Sequence, residues 1–288
     1  MSVTPFALEI GLGALLLVVF GANLLTARED RRHLAWIAFA GVSLLTVLSM
    51  TLRPAEPALG GMFVLDGLAI FAKRLFLAAT AIGILGGLAL PETVFRRRSG
   101  EYHLLMLASL LGMLFLASAR DLVLLFVAFE LMSMPLYALA GFLKREETAV
   151  EAALKFFLVG SVSSAIMAYG LSFVYGAART TSLTGVATAF AADDPLVTLG
   201  LVVAFAGFGF KIAAFPFHMW VPDTYEAAST PFVAWLSVAP KAAGFVALFR
   251  VYFEGVGERA DYWMPVLAAL ATITIVAGNL MALPQQNV

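Results

Sequence analysis

Nine mostly apolar runs divide this chain, at roughly 5–26, 35–52, 64–90, 102–119, 121–143, 150–176, 195–220, 231–252 and 263–283. A membrane-spanning helix needs about 20 such residues, and inside the bilayer every backbone N–H and C=O must find its partner within the protein. The runs therefore predict an all-α, polytopic transmembrane helix bundle of about nine spans. Composition points the same way. The 288 residues are 61% hydrophobic and only 13% charged, against about half apolar and a quarter charged in a soluble domain. Most connections are short, so neighbouring helices should run antiparallel. The segment 177–194 (AARTTSLTGVATAFAADD) is the longest polar-leaning connection and has room for a short surface helix.

The chain has no cysteine, which excludes disulfides, thiolate metal sites and cysteine-ligated iron–sulfur clusters. Its three histidines, His33, His103 and His218, are too scattered for a metal centre. A net charge of −1 gives no reason to expect nucleic acid as a partner. The N-terminal MSVTPFALEIGLG lacks a basic n-region and a small-residue cleavage site, so the first run reads as a retained span. Lysine and arginine orient the bundle. Arg28, Arg31, Arg32, Arg96, Arg97, Arg98, Lys144 and Arg145 cluster in loops on one side. Arg53, Arg120, Arg179, Arg250 and Arg259 are spread over the other. This predicts a cytoplasmic face at the clusters and an N-terminus outside.

Charges inside apolar runs mark function by default. Glu9 lies near a helix end and reads as an interfacial carboxylate. Asp66 begins the third run and reads as an N-cap. Lys73 and Arg74 have stems that can snorkel, and both structural and functional readings stay open for them. Glu130 is different. It lies nine residues after Asp121, about 14 Å along a helix, too deep for a short carboxylate to reach water. It must be paired, protonated or beside a water-filled space, and Pro135 frees a backbone carbonyl one turn away. Lys155, Lys211 and Lys241 follow in the next three spans. Glu151, four residues before Lys155, also allows a simple ion pair along the helix.

Three lysines cannot all be held by one deep acid. Burial disfavours the charged form of an amine, and a nearby carboxylate favours it. A lysine held between these effects changes charge when the carboxylate moves or takes up a proton, which is the chemistry of a proton relay. In GFGFKIAAFPFHMWVPD, Pro216 predicts a break in the seventh span, with Gly207 and Gly209 loosening the helix ahead of it. Broken helices admit water at depth, and His218 beside the break is placed to pass protons. Asp223 and Glu226 read as loop anchors or as the mouth of a path.

Three stretches carry a resemblance. FELMSMPLYALAGFLKREETAVEAALKFFLVGSVSSAIMAYGLSFVYGA, GFGFKIAAFPFHMWVPDTYEAASTPFVAWLSVAPKAAGFVALFRV and GNLMALPQQNV resemble the N subunits of the proton-pumping NADH–quinone oxidoreductase, respiratory complex I. The resemblance implies five-helix antiporter-like units repeated in inverted orientation, each with one discontinuous helix. It divides the chain into three leading helices (1–101), a first repeat (102–255) and the start of a second (256–288). The family pattern continues beyond L-P-Q-x-N-V into most of a second repeat that this sequence does not include, so the chain reads either as a fragment or as a truncated product.

By resemblance, Glu130, Lys155, Lys211, His218 and Lys241 are the proton-transfer residues and Pro216 the helix break. The chain itself would bind no cofactor, while NADH, flavin, iron–sulfur clusters and quinone belong to partner subunits. The expected partners are the other membrane-arm subunits, the lipid bilayer and protons, in a bacterial inner membrane. Two other readings stand beside this one. The chain is the large subunit of a multisubunit sodium/proton antiporter, or a truncated, non-conducting structural chain.

Overall fold

The structure, a computed structural model, describes residues 4–26, 31–88, 92–192, 194–257 and 260–285, with all of their side chains except those of 4, 92–96 and 262. Arg28 and Arg259, used above for orientation, lie outside the described residues, as do the side chain of Arg96 and residues 286–288.

The elements follow the apolar runs. They are α1 (Ala7–Leu25), α2 (His33–Ser49), β1 (Ala55–Ala58), β2 (Phe63–Leu65), α3 (Gly67–Gly87), α4 (Glu92–Ser118), α5 (Leu122–Ala140), α6 (Glu147–Ala178), α7 (Leu183–Ala191), α8 (Pro195–Ile212), α9 (Trp220–Ala227), α10 (Thr230–Phe249) and α11 (Ala260–Ala282). Among the described residues, eight helices are long and apolar enough to cross a membrane. The ninth run, α2, is a shorter apolar helix of 17 residues. The expected surface helix is α7. The short antiparallel β1–β2 ribbon, pairing Ala55 with Leu65, was not foreseen.

Polar side chains set the helix starts. Asp66 accepts Ala69 N–H at 2.8 Å, as its sequence position predicts. Asp121 accepts Val123 N–H and Leu124 N–H at the start of α5. Asp194 caps α8 ahead of Pro195, a residue preorganised for the first helical position. Where α6 crosses α8 the backbones approach closely. A Cβ on Gly200 would stand 2.6 Å from the Gly170 carbonyl oxygen, so only glycine lets the two helices meet there.

Three expectations about charge are corrected. Glu9 does not reach water: it is 4% exposed, and one carboxylate oxygen lies 2.6 Å from Lys73 Nζ. Lys73 does not snorkel. It is fully enclosed, pairing α3 to α1, with its ammonium 4.7 Å from the Phe63 ring centroid. Arg250, counted above as a loop cation, is also enclosed, in a π-helical turn that ends α10. Its guanidinium donates to both Asp66 oxygens (2.6 and 2.7 Å), to the Ala117 carbonyl and to Glu254. A cation that leaves water needs such a full set of acceptors. Arg120 pairs with Glu254 at 3.0 Å. Arg74 donates to the Ser49 carbonyl oxygen at the end of α2.

Candidate functional site

The seventh span is broken over residues 213–219, with Pro216 in the middle of the break. α8 stops at Ile212, four residues before Pro216. Pro216, with no N–H for the Ile212 carbonyl, prevents the helix from running on through it. Ala213 turns into the left-handed region (φ 59°), at a cost on the order of 1–2 kcal/mol for a residue with a Cβ. The last carbonyls of α8 find other donors. Ala214 N–H bonds Gly209 O at 2.8 Å. Trp220 Nε1–H bonds Phe210 O at 3.0 Å. The Trp220 ring stacks on Phe156 of α6, with centroids 4.3 Å apart. From the other side, Thr274 Oγ1 of α11 accepts Phe215 N–H at 3.1 Å. The break is thus held by named partners. Gly207 and Gly209 do not loosen it. Both pack tightly, beneath Met167 and the Phe217 ring.

Lys211 is in the last turn of α8 and is 2% exposed. Its Nζ has no hydrogen-bond partner. It lies 5.3 Å from the Phe129 ring centroid and 6.0 Å from that of Phe210, where the faces of the rings attract a cation. Phe129 precedes Glu130 on α5, and Lys211 lies within electrostatic range of that carboxylate, without an ion-pair contact. Glu130 itself accepts a hydrogen bond from Ser164 Oγ of α6 at 2.5 Å. Pro135 is accommodated on α5 beside side-chain bonds to backbone carbonyls, Ser133 Oγ to Phe129 O and Ser109 Oγ to Met132 O.

α10 brings Lys241 to the far side of the break. Its Nζ stands 5.1 Å from the Tyr225 ring centroid of α9. Gly244, one turn further on, meets the stem of Lys211. His218 lies within the break, its Nδ1 enclosed without a hydrogen-bond partner and its ring 5.4 Å from that of Phe215.

Lys155 stands apart. It is half-exposed and bridges two carboxylates, Glu151 at 2.8 Å and Asp223 at 2.9 Å, so it ties α6 to α9. The structure therefore brings the buried Lys211 near the half-buried Glu130, with Lys241 and His218 along the same break, and gives Lys155 its own acids. Ser164, Phe129, Trp220 and Gly244 were not singled out from the sequence. The polar triplet pattern of SVSS (161–164) inside an apolar helix was the available signal for Ser164.

A family model described as "NADH:quinone oxidoreductase/Mrp antiporter, TM" matches residues 119–288, the stretch that carries this site. The chain belongs to this family. Within the NADH:quinone oxidoreductase/Mrp antiporter family, it is 40% identical over 290 residues to an NADH-quinone oxidoreductase subunit N from Moorella thermoacetica. That match covers 100% of this chain and 60% of the relative. It is 41% identical to subunit N 2 from Rhizobium meliloti, covering 96% of this chain and 57% of the relative. The resemblance to N subunits is thus confirmed, and the chain spans about three fifths of the length of these curated relatives.

A chain of respiratory complex I from Thermus thermophilus superposes with a TM-score of 0.81 at 32% identity, over 98% of this chain and 59% of that one. A chain of the Mrp complex from Dietzia shares the fold, with a TM-score of 0.78 at 22% identity, over 99% of this chain and 55% of that one. The chain is an integral, multi-pass membrane protein of this family's fold.

Proposed function

We propose that the chain acts as a proton-translocating membrane subunit of an NADH–quinone oxidoreductase and is driven by redox chemistry in other subunits. The carrying observation is Lys211, a buried amine without a hydrogen-bond partner at the end of a broken helix, within the field of Glu130. Glu130 offsets the ammonium when ionised. When Glu130 is neutralised, that support is lost, and the proton of Lys211 passes along the break toward Lys241. His218 connects the break to its watered side. Lys155, held by Glu151 and Asp223, serves at the mouth near α9. Subunit N identity in the relatives supports this reading.

On this reading the chain holds no redox group. NADH, flavin, iron–sulfur clusters and quinone are bound by partner subunits of the membrane and peripheral arms. It is placed in a bacterial inner membrane with the N-terminus outside. Its parts are three leading helices (1–101), one half-channel repeat (102–255) and the beginning of a second (256–288).

The test is Lys211→Ala in the complete assembly, reconstituted in vesicles. Loss of proton uptake with the assembly intact supports the role, and full pumping refutes it. The family also includes Mrp antiporters, so a second reading is cation/proton exchange. Electrogenic exchange by the assembly without NADH oxidation would establish that reading instead.

A further inference from the structure

Arg97 and Arg98 of α4 and Lys144 and Arg145 of the α5–α6 connection line one cavity of about 190 Å³. Glu146 is the acidic side chain that also lines it, and Phe142 is an apolar part of its wall. Among the described residues, none of the four cations has an ion-pair or side-chain hydrogen-bond partner. Elsewhere in the chain the buried cations Lys73 and Arg250 are matched by acids. Four unmatched cations around one cavity repel each other, and one carboxylate does not offset them.

The depth of the cavity identifies what does. The apolar stretch of α4 begins at Arg97, and α5 ends at Ala140, just before the connection. The cavity therefore lies where hydrocarbon gives way to headgroups. Phe142 is buried, packed edge-on against Tyr102 with ring centroids 5.1 Å apart, so the apolar part of the wall is already in place. Basic pockets between helices at this depth suit lipid phosphates. A soluble anion makes no use of the phenylalanine, whereas a lipid presents a phosphate and, beyond its glycerol esters, apolar acyl chains together.

We propose that this cavity binds the phosphate headgroup of an anionic membrane phospholipid, with Arg97, Arg98, Lys144 and Arg145 holding the phosphate and Phe142 on the side where the acyl chains begin. The site is separate from the proton path and does not depend on the proposed function.

The intact membrane assembly that contains the chain is delipidated in mild detergent. It is then offered phosphatidylglycerol or phosphatidylcholine, and retained lipid is counted by native mass spectrometry. The unsubstituted assembly retains phosphatidylglycerol and releases phosphatidylcholine. Arg98→Gln/Arg145→Gln lowers phosphatidylglycerol retention about tenfold or more. Arg98→Lys/Arg145→Lys keeps it, which separates loss of charge from loss of fold. Equal retention of both lipids, or unchanged phosphatidylglycerol retention in the glutamine variant, overturns the proposal. So does a glutamine variant that keeps its lipid and loses a protein subunit, because the cavity is then a protein contact.

Discussion

A Cβ on Gly244 would stand 2.9 Å from Cγ of Lys211, so the lysine stem lies against bare backbone of α10. Gly244→Ala should push the stem aside, an overpacking strain of about 1–3 kcal/mol. Protons pumped per NADH in reconstituted vesicles should fall, with the assembly still formed. Gly176→Ala, where an added Cβ meets nothing within 4 Å, is the matched control and should pump normally.

Ser164 donates to Glu130 at 2.5 Å across the α5–α6 contact. Ser164→Ala removes a charge-assisted bond, and such bonds are worth roughly 1.5–3 kcal/mol. Protons pumped per NADH should fall, and Ser164→Thr should restore them. Unchanged pumping in the alanine variant would mean that the serine only fills space.

Trp220→Phe keeps a ring to stack on Phe156 and loses the bond to Phe210 O. A net hydrogen bond is worth about 1 kcal/mol. The detergent-solubilised assembly should unfold at a measurably lower temperature. If the midpoint is unchanged, another donor caps the broken helix.

Arg250→Met leaves Asp66 and Glu254 without their buried cation. Breaking a fully buried pair on one side costs about 3–5 kcal/mol, and the loss here is smaller because Asp66 is 36% exposed and Glu254 keeps Arg120. The single variant should accumulate poorly in membranes, and Arg250→Met/Asp66→Asn should recover part of the loss, read by immunoblot and by thermal unfolding.

The Asp66 partner also sets a pH dependence. Burial alone raises its carboxyl, but the Arg250 hydrogen bonds, the Ala69 N–H and the charges of Arg250 and Arg120 outweigh that and hold it below 3.8. The stabilisation is complete above the unfolded value and is lost as pH falls through the lower folded one. Thermal stability measured down to acidic pH should show that loss, and Asp66→Asn should not.

The spans were legible because the bilayer permits one backbone solution for long apolar runs, and their ends carried aspartate caps. The break was legible from Pro216, which lies in the middle of it. The end of α8 at Ile212 was not, because the left-handed turn at Ala213 has no marker in the sequence. Glu9 and Lys73 were misread because each was judged by its own helix, whereas their pairing joins α1 to α3. Arg250 looked like a loop cation because its acceptors, Asp66 and Ala117, come from distant parts of the chain. Gly244 left no local signal, since its role is the space that it leaves for another helix.

Lys73, Arg120 and Arg250 stand with Glu9, Asp66 and Glu254 near one end of the bundle, three cations against three carboxylates. To a distant observer such a group has no monopole, and its potential falls off faster with distance than that of a single charge. The three pairs therefore add little long-range potential of their own to the rest of the bundle. The group that fastens the helices together adds little noise to the field in which the relay would operate.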